Sequence, residues 1–115
     1  MQLYLDTSDF IAKITLTDKS GQTFTYEDDL GREMAEKLLE TLNNHLKERN
    51  KTFQDLEKIT FMSGPGSFTG LRIGSSIVNT LAHELHIPLY DHKGKEHQII
   101  LPDYGRPANI SKPKK

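Results

Sequence analysis

One stretch decides the fold of this chain: Gly64-Pro65-Gly66-Ser67-Phe68-Thr69-Gly70-Leu71-Arg72-Ile73-Gly74. It follows a short apolar run, Ile59–Met62, and precedes a segment with helical spacing, which predicts a strand, a glycine-rich loop and a helix. Glycines let the backbone turn tightly and approach another segment, and amides exposed at a helix start commonly bind anions. Two interpretations therefore stay open: the loop binds phosphate, or it lets the helix start close to the sheet.

The loop lacks the best-known phosphate-binding spacings. No Gly-Lys-Ser/Thr closes it, so it is not a Walker loop. Its glycines follow G-x-G-x-x-x-G, one residue longer than the usual dinucleotide fingerprint. The motif alone therefore does not identify a ligand.

Hydrophobic periodicity predicts an α/β order of elements along the rest of the chain. Turns at residues 6–9 and 19–21 separate three strands that form an antiparallel meander, and later strands alternate with two helices. We expect Asp28 or Asp29 to cap the first helix and Thr69 to cap the second. The predicted elements are strands Gln2–Asp6, Phe10–Leu16 and Thr23–Tyr26, helix Leu30–Asn50, strand Lys58–Ser63, helix Gly70–His86 and strand Ile87–Tyr90.

Composition limits the class of protein. The chain has 115 residues, a formal net charge of −1 and no cysteine. This length suits one domain, and the charge gives no bulk electrostatic attraction for nucleic acid. The lack of cysteine excludes disulfides, a thiol nucleophile and a cysteine zinc site. No apolar run is long enough to span a membrane, and Met1-Gln2 leads directly into a predicted strand, so we expect a cytoplasmic protein.

The stretch Gly64–Gly74 resembles the signature of the TsaB (YeaZ-type) family, bacterial non-catalytic partners in making threonylcarbamoyladenosine on tRNA. The resemblance extends to Leu3-Tyr4-Leu5-Asp6-Thr7-Ser8, where the family opens with a strand ending in Asp-Thr-Ser. It extends also to Leu101-Pro102-Asp103-Tyr104-Gly105-Arg106-Pro107, which is similar to the Pro-x-Tyr-x-Arg-Pro tail of many members. Full-length members carry a second domain before that tail, and here only His92–Ile100 stands in its place.

The resemblance implies a minimal family member with one actin-type ATPase, or ribonuclease-H-like, α/β domain. We expect a five-stranded mixed sheet, an antiparallel meander followed by β-α-β, with two main helices. The expected divisions are a domain at residues 1–91, a short replacement for the second domain with the tail at 92–107, and a basic tail at 108–115. We also expect Gln98–Leu101 to fold back on the domain as a strand or extended segment that carries Tyr104.

The resemblance also implies a role as a non-catalytic scaffold. Such a subunit binds the TsaD-type catalytic subunit, which transfers threonylcarbamoyl to N6 of adenosine 37 in tRNA, and a TsaE-type ATPase joins the complex. Contact with tRNA would be indirect, and we expect a homodimer of the isolated chain. No cofactor is expected in isolation, although ATP or ADP shared with the partner stays an option.

Two sets of candidate site residues follow. The family uses its two helices for dimerisation, and small residues on the second helix allow close approach of another helix. The candidate partner-binding residues are Met34, Leu38, Leu42, Leu46, Leu71, Gly74, Ser75, Val78 and Ala82. The candidate anion or nucleotide contacts are Asp6, Thr7, Ser8, Gly64, Gly66, Ser67, Thr69 and Gly70.

Other functions leave weaker signals. A stand-alone nucleotide- or phosphate-binding domain that uses the Gly64–Gly70 loop is the main alternative. Asp6 would be its metal-orienting carboxylate, although Asp-Thr-Ser is also an ordinary turn sequence. A peptidase lacks a recognisable Ser–His–Asp arrangement, and His83 and His86 lack an obvious third metal ligand, so we expect neither catalysis nor a metal.

Overall fold

A computed structural model describes residues 1–103. Two α-helices and two short 3-10 helices, Gly31–Glu33 and Phe53–Asp55, alternate with the strands. The strands are β1 (Gln2–Asp6), β2 (Ile11–Thr17), β3 (Thr23–Asp29), β4 (Lys58–Phe61), β5 (Leu89–Asp91) and β6 (Glu96–His97), and the α-helices are α1 (Met34–Glu48) and α2 (Phe68–Leu85).

The strands form one sheet in the order β3-β2-β1-β4-β5-β6. β1, β4 and β5 run parallel, whereas β2, β3 and β6 pair antiparallel with their neighbours. Leu5 lies opposite Ile14 on one side and Phe61 on the other, and all three side chains are fully buried. Because side chains alternate between the two faces of a strand, this register gathers the aliphatic residues on a single face.

Both helices pack on that face. Residues spaced by four in α1, beginning with Met34 and ending with Leu46, are at most 1% exposed, and they share the core with Leu71 and Val78 of α2. Burial of each such side chain contributes roughly 1.5–3 kcal/mol, so the stripe anchors α1 to the sheet. The other face presents Tyr4, Thr15 and Thr60 in one row, and no helix in residues 1–103 covers it.

The structure shifts the predicted bounds of α1. A 3-10 turn at Gly31–Glu33 precedes the helix, which runs from Met34 to Glu48 rather than from Leu30 to Asn50. Neither predicted aspartate caps it: the Asp28 carboxylate lies 2.7 Å from Nε2 of His45, and Asp29 pairs with Ile11 in the sheet. The prediction of an aspartate cap is therefore wrong, because β3 extends through both residues.

Helix α2 begins two residues before the predicted start. The Ser67 hydroxyl accepts a hydrogen bond from the N–H of Gly70 at 3.1 Å, so Ser67 is the cap and the predicted cap, Thr69, lies inside the first turn. The helix ends at Leu85, and His86 follows in the left-handed conformation with φ of 57°. A glycine usually occupies this position, since it has no Cβ to clash.

A hairpin after α2 adds a sixth strand. β5 and β6 pair through Leu89 with His97 and Tyr90 with Glu96, so the strand lies before the predicted Gln98–Leu101. Beyond it, Ile100 is 2% exposed and its backbone N–H and carbonyl both bond the side-chain amide of Asn79, at 2.8 and 3.0 Å. The expected position of Tyr104 lies outside the described residues.

None of the helices in residues 1–103 is both long enough and apolar enough to cross a membrane.

Candidate functional site

The glycine loop, residues 64–70, packs against the N-terminal turn, Asp6–Asp9, which follows β1. Within the turn, one carboxylate oxygen of Asp6 accepts hydrogen bonds from the backbone N–H and the hydroxyl of Ser8, at 2.8 and 2.6 Å. Thr7 is fully buried, and its hydroxyl donates to the Gly70 carbonyl at 2.7 Å. The N–H of Ser67 also donates to the Ser8 carbonyl at 2.7 Å. Loop and turn thus form one hydrogen-bonded unit.

Three glycines lie where other parts of the chain approach the loop and α2 most closely. A Cβ on Gly66 would lie 2.5 Å from Cβ of Ser8, and one on Gly70 would overlap the Thr7 carbonyl oxygen. A Cβ on Gly74 would lie 2.6 Å from the Phe61 ring. The space beside these glycines is therefore filled by the chain itself, which favours close packing over a phosphate cradle as their reason.

The candidate anion contacts come together around this unit, but their exposures differ. Thr7, Gly64 and Gly70 are buried against their own chain, where an external phosphate would have to displace it. The others are half-buried or exposed, namely Asp6, Ser8 and Ser67, and then Gly66 and Thr69.

The candidate partner-binding residues lie in the wrong place for an interface. Each is buried beneath the helices in the chain's own core: Met34, Leu38, Leu42, Leu46, Leu71, Gly74, Ser75, Val78 and Ala82. The small residues of α2 allow close approach to the sheet, since Gly74 contacts Thr7 and Phe61 and not a second helix. The strongest periodic stripe of each helix covers the core, so this part of the prediction is corrected.

The outer surface of the two helices is formed by residues that stand next to these buried residues in the sequence. We call the residues Ala35, Leu39, Ile73, Ile77 and Leu81 the helical face. Leu39 is 47% exposed, and Ile73, Ile77 and Leu81 are partly buried along the side of α2 that borders the core. Ala35, Ile73 and Ile77 line a shallow groove of about 410 Å³ between the helices. This face offers apolar contacts that the chain itself does not use fully.

A second depression, of about 230 Å³, lies at the head of this groove. Phe10 from the loop before β2, Arg32 and Met34 form its walls with Thr69 and Ile73. The groove shares Thr69 and Ile73 with this head pocket, so the two depressions are adjacent. Phe10 is 50% exposed, which is high for so large an apolar side chain.

The histidines do not assemble a metal site. In residues 1–103, no group of three His, Cys, Asp or Glu side chains is arranged to hold a metal ion. Nε2 of His97 instead lies 2.8 Å from Asp91, and Nδ1 of His92 lies 3.3 Å from the Ser63 amide. The bond from His97, aided by the backbone N–H groups of Lys93 and Lys95, lowers the pKa of Asp91 from 3.8 to about 2. The contacts of Asp91 close the β5–β6 hairpin, and the His92 contact links that hairpin to the segment after β4.

Comparison with known proteins finds a matching family model and proteins of similar sequence. A family model described as "TsaD: tRNA N6-adenosine threonylcarbamoyltransferase" matches residues 28–92. Proteins named tRNA threonylcarbamoyladenosine biosynthesis protein TsaB are similar in sequence. The one from Bacillus subtilis (strain 168) is 33% identical over 87 residues, which are 76% of this chain. One from Buchnera aphidicola subsp. Schizaphis graminum is 31% identical over 67 residues, 58% of this chain and 32% of that protein.

The chain belongs to the TsaB (YeaZ-type) family. Among solved structures, YeaZ from Pseudomonas aeruginosa superposes with a TM-score of 0.72 at 31% identity, covering 78% of this chain and 42% of YeaZ. A Pseudomonas aeruginosa structure described by its similarity to peptidase YEAZ gives a TM-score of 0.73 at 31% identity, with 78% and 41% covered. The predicted actin-like, ribonuclease-H-like α/β fold is confirmed, although the sheet has six strands and not five.

The match to these TsaB-family proteins is partial in length. The chain spans 38% of the Bacillus subtilis TsaB protein that it matches. Sequence reasoning identified the family but missed the residues on the helical face, because Leu39, Ile73 and Ile77 do not belong to the dominant buried stripe. A usable signal was present: these apolar residues stand beside that stripe, making the apolar arc wider than one sheet contact needs.

Proposed function

We propose that this TsaB-family chain is a non-catalytic scaffold subunit for tRNA threonylcarbamoyladenosine synthesis. It binds a TsaD-type catalytic subunit through the helical face, and that subunit transfers threonylcarbamoyl to N6 of adenosine 37. A TsaE-type ATPase joins the same complex, and tRNA contacts the chain only indirectly. The names of the similar proteins support the pathway, and the surface of α1 and α2 supports the mode of binding.

The observation that carries the proposal is the apolar groove between α1 and α2. Ile73 and Ile77 line it together with Ala35, and Leu39, one turn further along α1 from Ala35, is half-exposed. Exposed apolar groups that border a continuous groove are typical of a protein-binding site, and a helix fits between two parallel ridges of this kind. The sheet supplies rigid support beneath, because the opposite sides of both helices are fixed in the core.

The glycine loop supports a non-catalytic role. Its close contacts with Thr7 and Ser8 leave the loop engaged by its own chain, as the hydrogen bonds of Gly70 and Ser67 indicate. In the described residues, the Ser63 hydroxyl is hydrogen-bonded to Nδ1 of His92 at 3.4 Å, a long contact that gives a serine nucleophile only weak activation. The reaction chemistry then belongs to the partner.

Co-purification with the TsaD-type subunit of the same organism tests this function. The wild-type chain should form a stoichiometric complex and stimulate modification of adenosine 37 in the presence of the TsaE-type subunit. Leu39→Glu should abolish the complex, since it places a charge on the helical face while keeping a good helix former. Asn44→Glu, at an exposed position of α1 outside the groove, is the matched control and should bind as wild type.

A thermal-shift titration with ATP, ADP and pyrophosphate separates the alternative. A stand-alone nucleotide-binding domain would be stabilised by about 2.7 kcal/mol at a ligand concentration of 100 Kd. We expect no shift for the isolated chain. A clear stabilisation together with failure to bind the catalytic subunit would reject the scaffold function.

A further inference from the structure

The head pocket and the groove carry charge of one sign only. Their linings contain two charged side chains, Arg32 in the head pocket and Arg72 in the groove, and no carboxylate from residues 1–103. Neither arginine makes an ion pair within this described part of the chain. Arg72 instead lies over the ring of Phe68, 5.3 Å from its centroid. Arg32 thus borders the head pocket and Arg72 borders the adjoining groove, and no carboxylate of the described chain neutralises either charge in an ion pair.

The depression has the size of one side chain. Its volume is about 230 Å³, whereas an apolar cavity of about 150 Å³ already binds benzene. Phe10 on one side and Ile73 on the other give apolar walls, and Met34 lies fully buried at the base. A leucine, methionine or phenylalanine from outside fits such a pocket, and its burial would remove part of the exposed Phe10 ring from water.

We propose that the head pocket is an anchor site that receives one apolar side chain of a partner protein, with an Asp or Glu of that partner held next to it by Arg32 and Arg72. The guanidinium groups suit a carboxylate because their N–H donors match its two oxygens. This inference rests on the proposed function for its occupant, which is the catalytic subunit, and it adds the chemistry that recognises that subunit. The groove below the anchor then aligns the rest of the partner's segment.

The first experiment measures binding of the TsaD-type subunit at two salt concentrations. The double variant Arg32→Glu/Arg72→Glu should weaken the affinity by about tenfold or more at low salt and reverse its salt dependence. The control Lys47→Glu/Lys93→Glu makes the same change in net charge at two exposed lysines outside both depressions, and it should change the affinity by less than about twofold. Equal losses in both variants would assign the effect to net charge and overturn the proposal.

The apolar part of the anchor is tested by filling the pocket. Thr69→Trp puts a large ring into the depression from an exposed position, so it should block the partner without unfolding the chain. Circular dichroism checks the fold. If Leu39→Glu abolishes the complex while Thr69→Trp and the arginine variant bind normally, the proposed function stands and the anchor is rejected.

A small probe tests the pocket without the partner. Titration with 3-phenylpropanoate, which has a ring and a carboxylate, should shift the NMR amide signals of Gly31, Thr69 and Ile73, and the neutral 3-phenylpropanol should bind about fivefold more weakly. The arginine variant should remove that preference. Absence of these shifts overturns the anchor, whereas failure of the wild-type chain to bind the catalytic subunit rejects the proposed function. A wild-type homodimer that the arginine variant dissociates would make a second copy the occupant and also overturn the proposal.

Discussion

Replacement of Gly70 by alanine should destabilise the protein, although alanine is the better helix former. Alanine has a higher helix propensity than glycine, and this difference alone would stabilise the protein by about 1 kcal/mol. Against this, the new Cβ overlaps the backbone carbonyl oxygen of Thr7, which cannot move without displacing the end of β1. Overpacking of this kind costs about 1–3 kcal/mol.

The same substitution endangers a buried hydrogen bond. The Thr7 hydroxyl is fully buried and donates to the Gly70 carbonyl at 2.7 Å. Separation of α2 from the turn would leave both groups unpaired, at about 1–3 kcal/mol. With the propensity gain subtracted, we expect a net loss of about 3 kcal/mol, which lowers Tm by about 10–20 °C for a domain of this size.

Urea unfolding followed by circular dichroism measures this loss. Ser76→Ala is the matched control, because Ser76 is exposed in the same helix, and it should raise stability by about 0.5 kcal/mol. If Gly70→Ala stabilises the protein to a similar or larger extent, the contact between loop and turn is not what requires glycine. That result would favour the interpretation that the loop binds phosphate.

Two further predictions concern the end of α2 and the hairpin after it. His86→Gly should raise the free energy of unfolding by about 1 kcal/mol, since His86 has a φ of 57°, whereas His83→Gly inside the helix should lower it by about as much; equal effects would refute the backbone argument. The bond from His97 lowers the pKa of Asp91 to about 2 from an ordinary 3.8, so its stabilisation is present above pH 4 and is lost as pH falls towards 2. Urea midpoints of Asp91→Asn at pH 6, 4 and 2.5 should fall less steeply than those of wild type, and parallel pH profiles would contradict this.

The fold was largely predictable because local and periodic signals agreed. The four-residue spacing from Met34 to Leu46 and the short apolar runs of β1 and β4 define elements whose burial follows directly. The boundaries were less predictable, since several residue types could serve as caps. Ser67 caps α2 and Thr69 does not, a choice that depends on the hydrogen bond of the Ser67 N–H to Ser8, far away in sequence.

The site was harder to predict for a physical reason. A sequence shows which residues of a helix are apolar but not how much of that arc one sheet can cover. The stripe containing Leu38 was therefore assigned to a partner, whereas the weaker apolar positions such as Leu39 remain exposed. Similarly, the glycines of the loop are compatible with a ligand or with a neighbouring backbone, and only the position of Thr7 shows that the backbone is there.

The hydrogen bond between Thr7 and Gly70 joins residues 63 positions apart. During synthesis the amino-terminal turn emerges long before α2, so this bond forms only after the residues up to Gly70 have been made. Contacts of such separation slow folding, because the intervening chain loses entropy before they form. We therefore expect the contact between the family signature and the amino-terminal turn to form late in folding. A chain altered at the turn would form its antiparallel meander but would not pack α2 in its native position.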